Sequence, residues 1–361
     1  MIVLLALSLF AGAEPKPIVF LTNYVFLGRH APFFVGLEKG FYRDAGFEIA
    51  ISPSTGSGFV IAALEGGKAD FGIAEAAPVV QSIGKGARVK AFSVYMDSSP
   101  SGLASLKPYP TPESIAGRTI AASQTDSARV VLPILYDLKG LPSSDLSWLS
   151  ADPAIYFPLL LQGRAELITA SIDSDVPTLR RVAGPRNLTI YFSSFAEWGY
   201  DAFGYFLVTQ ADRIASSPDE VRAFAEATAR SVEYALDHPE EAARILVRHN
   251  PTLDFDLMLA QWRQSIAAID TRFVREAGYG EASKERLERT IELVKRAFPI
   301  EKELLPEDVY VDLTPRWLHD QRRRALEEEV AAYYRSRSAD EEADDREWAE
   351  LGSSRIGKTW K

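Results

Sequence analysis

From residue 17 onward, short apolar runs alternate with longer segments in which apolar residues recur every three or four positions. The runs at 18–21, 47–51, 70–73 and 89–95 are rich in β-branched and aromatic residues and read as strands. Between them, 32–39, 58–64 and 78–83 read as helices. The first has Pro32 in its opening turn and Gly40 just past its end, which is the usual placing of those two residues. Such alternation predicts βαβ units and a parallel sheet covered on both faces.

Residues 103–112 are rich in Pro, Ser and Tyr, lack a clear period, and are expected to be a crossover. A second series then follows. Strands are expected at 118–122, 146–149, 167–171 and 188–192, and helices at 127–138, 154–161 and 176–182. The run 197–204 breaks the rhythm with two Gly and three aromatic residues, and 205–209 returns as a strand. After Pro218 the pattern is helical at 219–236, 239–249, 254–268 and 283–297. The expected architecture is α/β: two lobes with parallel-core sheets, lobe 1 from 17–108 and 206–315, lobe 2 from 109–205. Ligands of open parallel sheets bind at the carboxyl ends of the strands. Two crossovers between the lobes therefore predict an interlobe cleft and hinge closure around a small guest.

Composition narrows the classes. Lys plus Arg is 40 and Asp plus Glu is 50 in 361 residues, a net charge of −10. That acid excess argues against a general nucleic-acid binder, which needs a basic face. There is no Cys, so disulfides, thiolate metal sites, Cys nucleophiles and a lipoprotein cysteine are excluded for this sequence. Residues 2–10 are apolar and lead into Ala11-Gly12-Ala13, a small-x-small pattern that reads as a signal peptide at 1–13. A free periplasmic location is the expectation. No catalytic constellation is visible: there is no H-E-x-x-H, no phosphate-binding Gly-rich loop and no Ser/His/Asp motif, so neither enzyme activity nor a cofactor is expected.

Several segments carry a resemblance. Leu21-Thr22-Asn23-Tyr24, His30-Ala31-Pro32-Phe33-Phe34, Glu38-Lys39-Gly40-Phe41-Tyr42 and Ala45-Gly46-Phe47-Glu48-Ile49 open the chain in a way that resembles NMT1/THI5-like proteins. Gly66-Gly67-Lys68-Ala69-Asp70-Phe71-Gly72-Ile73 and Ile115-Ala116-Gly117-Arg118-Thr119-Ile120 extend the likeness over roughly 17–315. The resemblance implies the type II periplasmic-binding-protein fold and the solute-binding component of an ABC importer, working with a permease of the inner membrane. Its branches bind thiamine-pyrimidine precursors, sulfonates, nitrate, taurine or riboflavin, and the opening block is nearest the pyrimidine branch. The family also holds a pyrimidine synthase that needs a cysteine-rich iron motif, and a chain without Cys departs from it.

Candidate ligand contacts follow from position and from this resemblance. Asn23 and Tyr24 follow the first strand, where an amide and a phenol suit a flat heterocycle. His30, at a helix start, offers a ring nitrogen or a cap. Ser57 lies in a Gly-rich turn into a helix, whose free N–H groups suit an acid group or a carbonyl. Glu75 follows a strand and suits the donors of an aminopyrimidine, or caps the next helix. Gln124 and Thr125 occupy the corresponding turn of lobe 2, and Asp173 the turn after 167–171. Trp198, Tyr200 and Asp201 belong to the aromatic cluster at the expected hinge and suit either stacking or hinge packing. Apart from Arg29, no Lys or Arg stands at these positions, which weakens the anion branches. The segment 316–361 reads as a charged helical extension, free to make a further contact, on what is expected to be a monomer.

Overall fold

The structure is a computed structural model that describes residues 14–300 and 302–313. The expected leader at 1–13 and the charged extension at 316–361 lie outside the described residues. Ten strands occur in chain order: β1 (Lys16–Leu21), β2 (Phe47–Ser52), β3 (Phe71–Glu75), β4 (Val89–Met96), β5 (Ser101–Ser105), β6 (Thr119–Ala122), β7 (Ser147–Ser150), β8 (Leu167–Ser171), β9 (Tyr191–Ser194) and β10 (Tyr205–Gln210). They form two five-stranded sheets, ordered β2-β1-β3-β10-β4 and β7-β6-β8-β5-β9.

Each sheet has a parallel core, β2-β1-β3 in one and β7-β6-β8 in the other. To each core the chain adds strands of the opposite sense. In the first sheet β10 lies antiparallel to both β3 and β4, and in the second β5 lies antiparallel to β8. The expected parallel cores are present, and the added antiparallel strands make both sheets mixed. The reason is the order of threading: the chain leaves the first sheet at Met96 and returns at Tyr205 between two strands already laid down.

The segment expected to be a crossover from residue 103 instead begins inside a strand. Ser101–Ser105 is buried along its whole length. It was invisible to pattern because Ser, Gly and Ala neither alternate in polarity nor favour strands. Its small residues have a packing reason. A Cβ on Gly102 would come 2.5 Å from the Phe192 ring on neighbouring β9. Glu75 closes β3 rather than following it.

The longer helices fall close to their expected places, and those of the second half carry an apolar stripe with a polar back. Pro218–Asp237 lays Phe224 flat on Phe71 of β3, with ring centroids 4.0 Å apart and planes 6° from parallel. Phe20, Phe33, Tyr42 and Trp262 complete that core. In the second sheet, Val131, Leu132 and Leu135 of the helix Ala128–Leu138 join Leu103, Ile120 and Leu167 on one face. Leu159, Leu160 and Leu179 join Ala104, Ala121 and Ile168 on the other. No helix among the described residues is long and apolar enough to cross a membrane.

Candidate functional site

The loops after the carboxyl ends of β1, β2, β6 and β8 line a cavity of about 50 Å³. That is room for a few water-sized groups, or a small ring once the walls adjust. Asn23, Tyr24, Leu27, Arg29, Ser57 and Tyr205 line it from the first sheet's side. Ser101, Asp126, Ser127, Thr169, Asp175 and Phe195 line it from the second. Both halves of the chain therefore contribute walls, as the alternation of elements predicts.

Arg29 is the one Lys or Arg among the described residues that line the cavity. Its guanidinium is fully buried and heavily engaged. Nη1 donates to the Tyr205 hydroxyl at 2.8 Å, and Nη2 donates to Asp173 Oδ1 at 2.8 Å and to the Ser174 hydroxyl. Nε has no partner. Burial works against the charge, but Asp173 and the Tyr205 hydroxyl hold Arg29 protonated. Asp173 is completed by Ser265, whose hydroxyl donates to Oδ2 at 2.8 Å. Gln261 ties the two sides again. It accepts from the Gly28 N–H at 2.8 Å and donates to the Ser174 carbonyl at 2.8 Å.

His30 is wholly buried beneath Asn23. Its Nδ1 accepts from the Leu27 N–H at 3.1 Å, which makes Nε2 the donor to Asn23 Oδ1, also at 3.1 Å. Burial, and then the neighbouring Arg29 charge, push its pKa well down, so the ring is neutral. His30 thus orients Asn23 and does not itself line the cavity.

Carboxyl groups dominate the remaining electrostatics. Asp126 is satisfied: Oδ1 accepts from Ala128 N–H at 2.9 Å, and Oδ2 from Thr169 and Tyr156 hydroxyls at 2.8 and 3.1 Å. Burial still raises its pKa. Asp175 opens a helix, and its Oδ2 accepts from the Ser171 N–H at 2.7 Å. Burial pushes its carboxyl up to about 7, with Asp173 and Asp126 adding to the shift and Arg29 opposing it. Glu75 lies behind Ser99 and Ser101, takes a hydrogen bond from Ser99 at 3.2 Å, and leaves Oε2 unpartnered. Burial pushes it up to about 7 as well. Tyr24 is raised by burial and then by Asp175. Among the described residues, no three of these groups are arranged to hold a metal ion.

Of the residues expected at the site, Asn23, Tyr24 and Ser57 line the cavity, with Asp173 one hydrogen bond behind Arg29. Others are placed elsewhere. Gln124 turns outward to Ser150 at 2.7 Å. Thr125 belongs to a contact between the two sides, where its carbonyl accepts from Gly58 N–H at 3.2 Å and the Ser123 hydroxyl donates to the Thr55 carbonyl at 2.9 Å. Trp198 and Tyr200 are buried within the returning connection, and Trp198 Nε1 donates to the Pro110 carbonyl at 3.0 Å. Asp201 pairs with Arg286 and Arg289. From that aromatic stretch it is Phe195, just upstream, that reaches the cavity. Asp126, Asp175 and Phe195 were not among the contacts expected there, though the first two belong to the turns that pointed to Gln124, Thr125 and Asp173. Those strand-to-helix turns were the available signal.

The family model described as NMT1/THI5 like matches residues 28–242. Over 90 residues the chain is 31% identical to 4-amino-5-hydroxymethyl-2-methylpyrimidine phosphate synthase of Schizosaccharomyces pombe. That match takes in 25% of this chain and spans only about a quarter, 26%, of the relative. Among solved structures, a protein of Bordetella bronchiseptica RB50 superposes with a TM-score of 0.69 at 17% identity, covering 88% of this chain and 99% of its own. The alkanesulfonate-binding protein SsuA of Xanthomonas axonopodis pv. citri, bound to MOPS, superposes with a TM-score of 0.64 at 13% identity, covering 83% and 100%. At such identities these likenesses speak to the fold, which is that of the periplasmic binding proteins. With its model matched across more than half the sequence, the chain belongs to the NMT1/THI5-like family.

Proposed function

We propose that this chain is the solute-binding component of an importer, which captures a small heteroaromatic molecule and hands it, unchanged, to a membrane permease. The observation that carries this reading is a cavity walled by loops from both sheets. Two connections, 97–100 and 195–204, join the part carrying β1–β4 and β10 to the part carrying β5–β9. A pair of lobes so joined can open to admit a guest and close to remove it from water. The solute-binding names of the structural neighbours support the same reading, and with it a periplasmic workplace.

For the guest we favour a pyrimidine of the thiamine-precursor type. Tyr24 and Phe195 offer ring faces, each able to contribute ~0.5–1.5 kcal/mol by stacking. Asn23, Ser57, Ser101 and Thr169 offer the hydrogen bonds that ring nitrogens and an amino group require. The partial likeness to a pyrimidine phosphate synthase points the same way. A thermal-shift screen with 4-amino-5-hydroxymethyl-2-methylpyrimidine, thiamine, riboflavin, alkanesulfonates and nitrate tests this. A guest that binds only the folded chain raises the melting temperature. A shift with the pyrimidine is expected. A shift with a sulfonate alone would remove the pyrimidine and keep the binder, and no shift with any would remove both.

A further inference from the structure

The charges around the cavity do not cancel. Arg29 is its one lining cation, and that charge is committed to Asp173 through a buried hydrogen bond of 2.8 Å. Asp126 is held by three hydrogen bonds and lies near Arg129, which stacks on Trp148 and donates to the Ser123 carbonyl at 2.6 Å. What remains is Asp175. The charged groups facing it are Arg29, Asp173 and Asp126, and the cation among them is already paired. Its Oδ2 is taken by the Ser171 N–H, which leaves Oδ1 for the cavity it lines. Arg29, which lines the same cavity and bonds the neighbouring Asp173 and Ser174, has a buried Nε without an acceptor.

Resting on the solute-binding reading above, we propose that Asp175 is the counter-ion for a protonated nitrogen on the captured solute, so that the cavity selects a planar monocation over neutral and anionic rings. A singly protonated aminodiazine, whose second ring nitrogen stays an acceptor, would also suit the unpartnered Arg29 Nε. An anion meets Asp175 with a like charge and finds no uncommitted cation in the lining. The raised pKa of Asp175 agrees with this: burial raises it more than the already paired Arg29 lowers it, and an arriving cation would add the missing counter-charge.

Isothermal titration at neutral pH with 4-aminopyridine (a cation there), 4-pyridone (neutral) and isonicotinate (an anion) compares three rings of one size. The cation is expected to bind at least tenfold more tightly than either other ring. Asp175→Asn should abolish that preference while its melting temperature stays near or above that of the parent. Asp175→Ser, which also keeps an acceptor near the Ser171 N–H, serves as the second variant, and the ranking on the unmodified chain needs neither. The inference is overturned if 4-pyridone or isonicotinate binds as tightly, if none of the three binds, or if a folded variant keeps the preference. When none of the three binds yet a solute of the thermal screen still raises the melting temperature, this inference alone falls. When neither experiment responds, the solute-binding reading falls with it.

Discussion

Arg29 and Asp173 stand 144 positions apart in the chain, yet their side chains meet at 2.8 Å with almost no exposure to solvent. One follows β1 of the first sheet and the other follows β8 of the second. Among the described residues this pair is the most deeply buried ionic link between the two halves, and it stands beside the cavity.

Breaking it from one side strands a charge. Arg29→Met leaves Asp173 buried without its cation, and a loss of about 3–5 kcal/mol in urea unfolding is expected. Adding Asp173→Asn should restore part of that loss, so the double variant is less destabilised than the sum of the two singles. Additive losses would show that the two side chains do not act as a pair.

Gln261 predicts a second loss. Gln261→Leu keeps the volume but leaves the Gly28 N–H and the Ser174 carbonyl without partners. Each abandoned buried group costs about 1–3 kcal/mol. Chemical denaturation should register a drop of about 2–6 kcal/mol for the two groups together, with an unchanged m-value. A neutral effect would mean that water replaces the amide.

Stability should depend on pH through Glu75. Its folded pKa is about 7 against 4.5 for the free group, because burial disfavours the charged form. The folded state therefore binds the proton more tightly. The stabilisation is fully present below about pH 4 and is lost as pH rises through 7, with a slope approaching ~1.4 kcal/mol per pH unit for one proton. Asp175, raised to about 7 from 3.8, acts in the same direction. Melting curves of the solute-free protein should fall between pH 5 and 8, and Glu75→Gln should flatten part of that fall. A parallel fall in the variant would assign the dependence to other groups.

Gly56 joins the two sides at backbone level. Its φ of +148° suits glycine, and a Cβ there would overlap the Thr125 carbonyl across the gap. Gly56→Ala is expected to cost about 1–3 kcal/mol and to force Thr55–Gly58 away from Ser123–Thr125. Small-angle scattering should report a larger radius of gyration, and the solute of the thermal screen should bind more weakly. An unchanged radius would place the strain elsewhere.

Much of the fold was legible because its elements are locally patterned. The strand at 167–171 was placed with both ends correct, and the helix stripes at 219–236 and 239–249 lie within a residue of those observed. The site was legible in part. Position after a strand pointed to Asn23 and Tyr24, and the Gly-rich turn pointed to Ser57. The aromatic cluster was visible too, but composition alone cannot separate a ring that stacks on a guest from one that fills a connection. Trp198 and Tyr200 fill a connection, and Phe195 reaches the cavity.

The succession of strands and helices, the acid balance and the family likeness are properties of the amino-acid order, since each depends on neighbours along the chain. The place of β10 between β3 and β4, the strand identity of Ser101–Ser105, and the commitment of Arg29 to Asp173 depend on partners far away in sequence. Only packing decides them, because a buried charge or a small-residue strand takes its meaning from what closes over it.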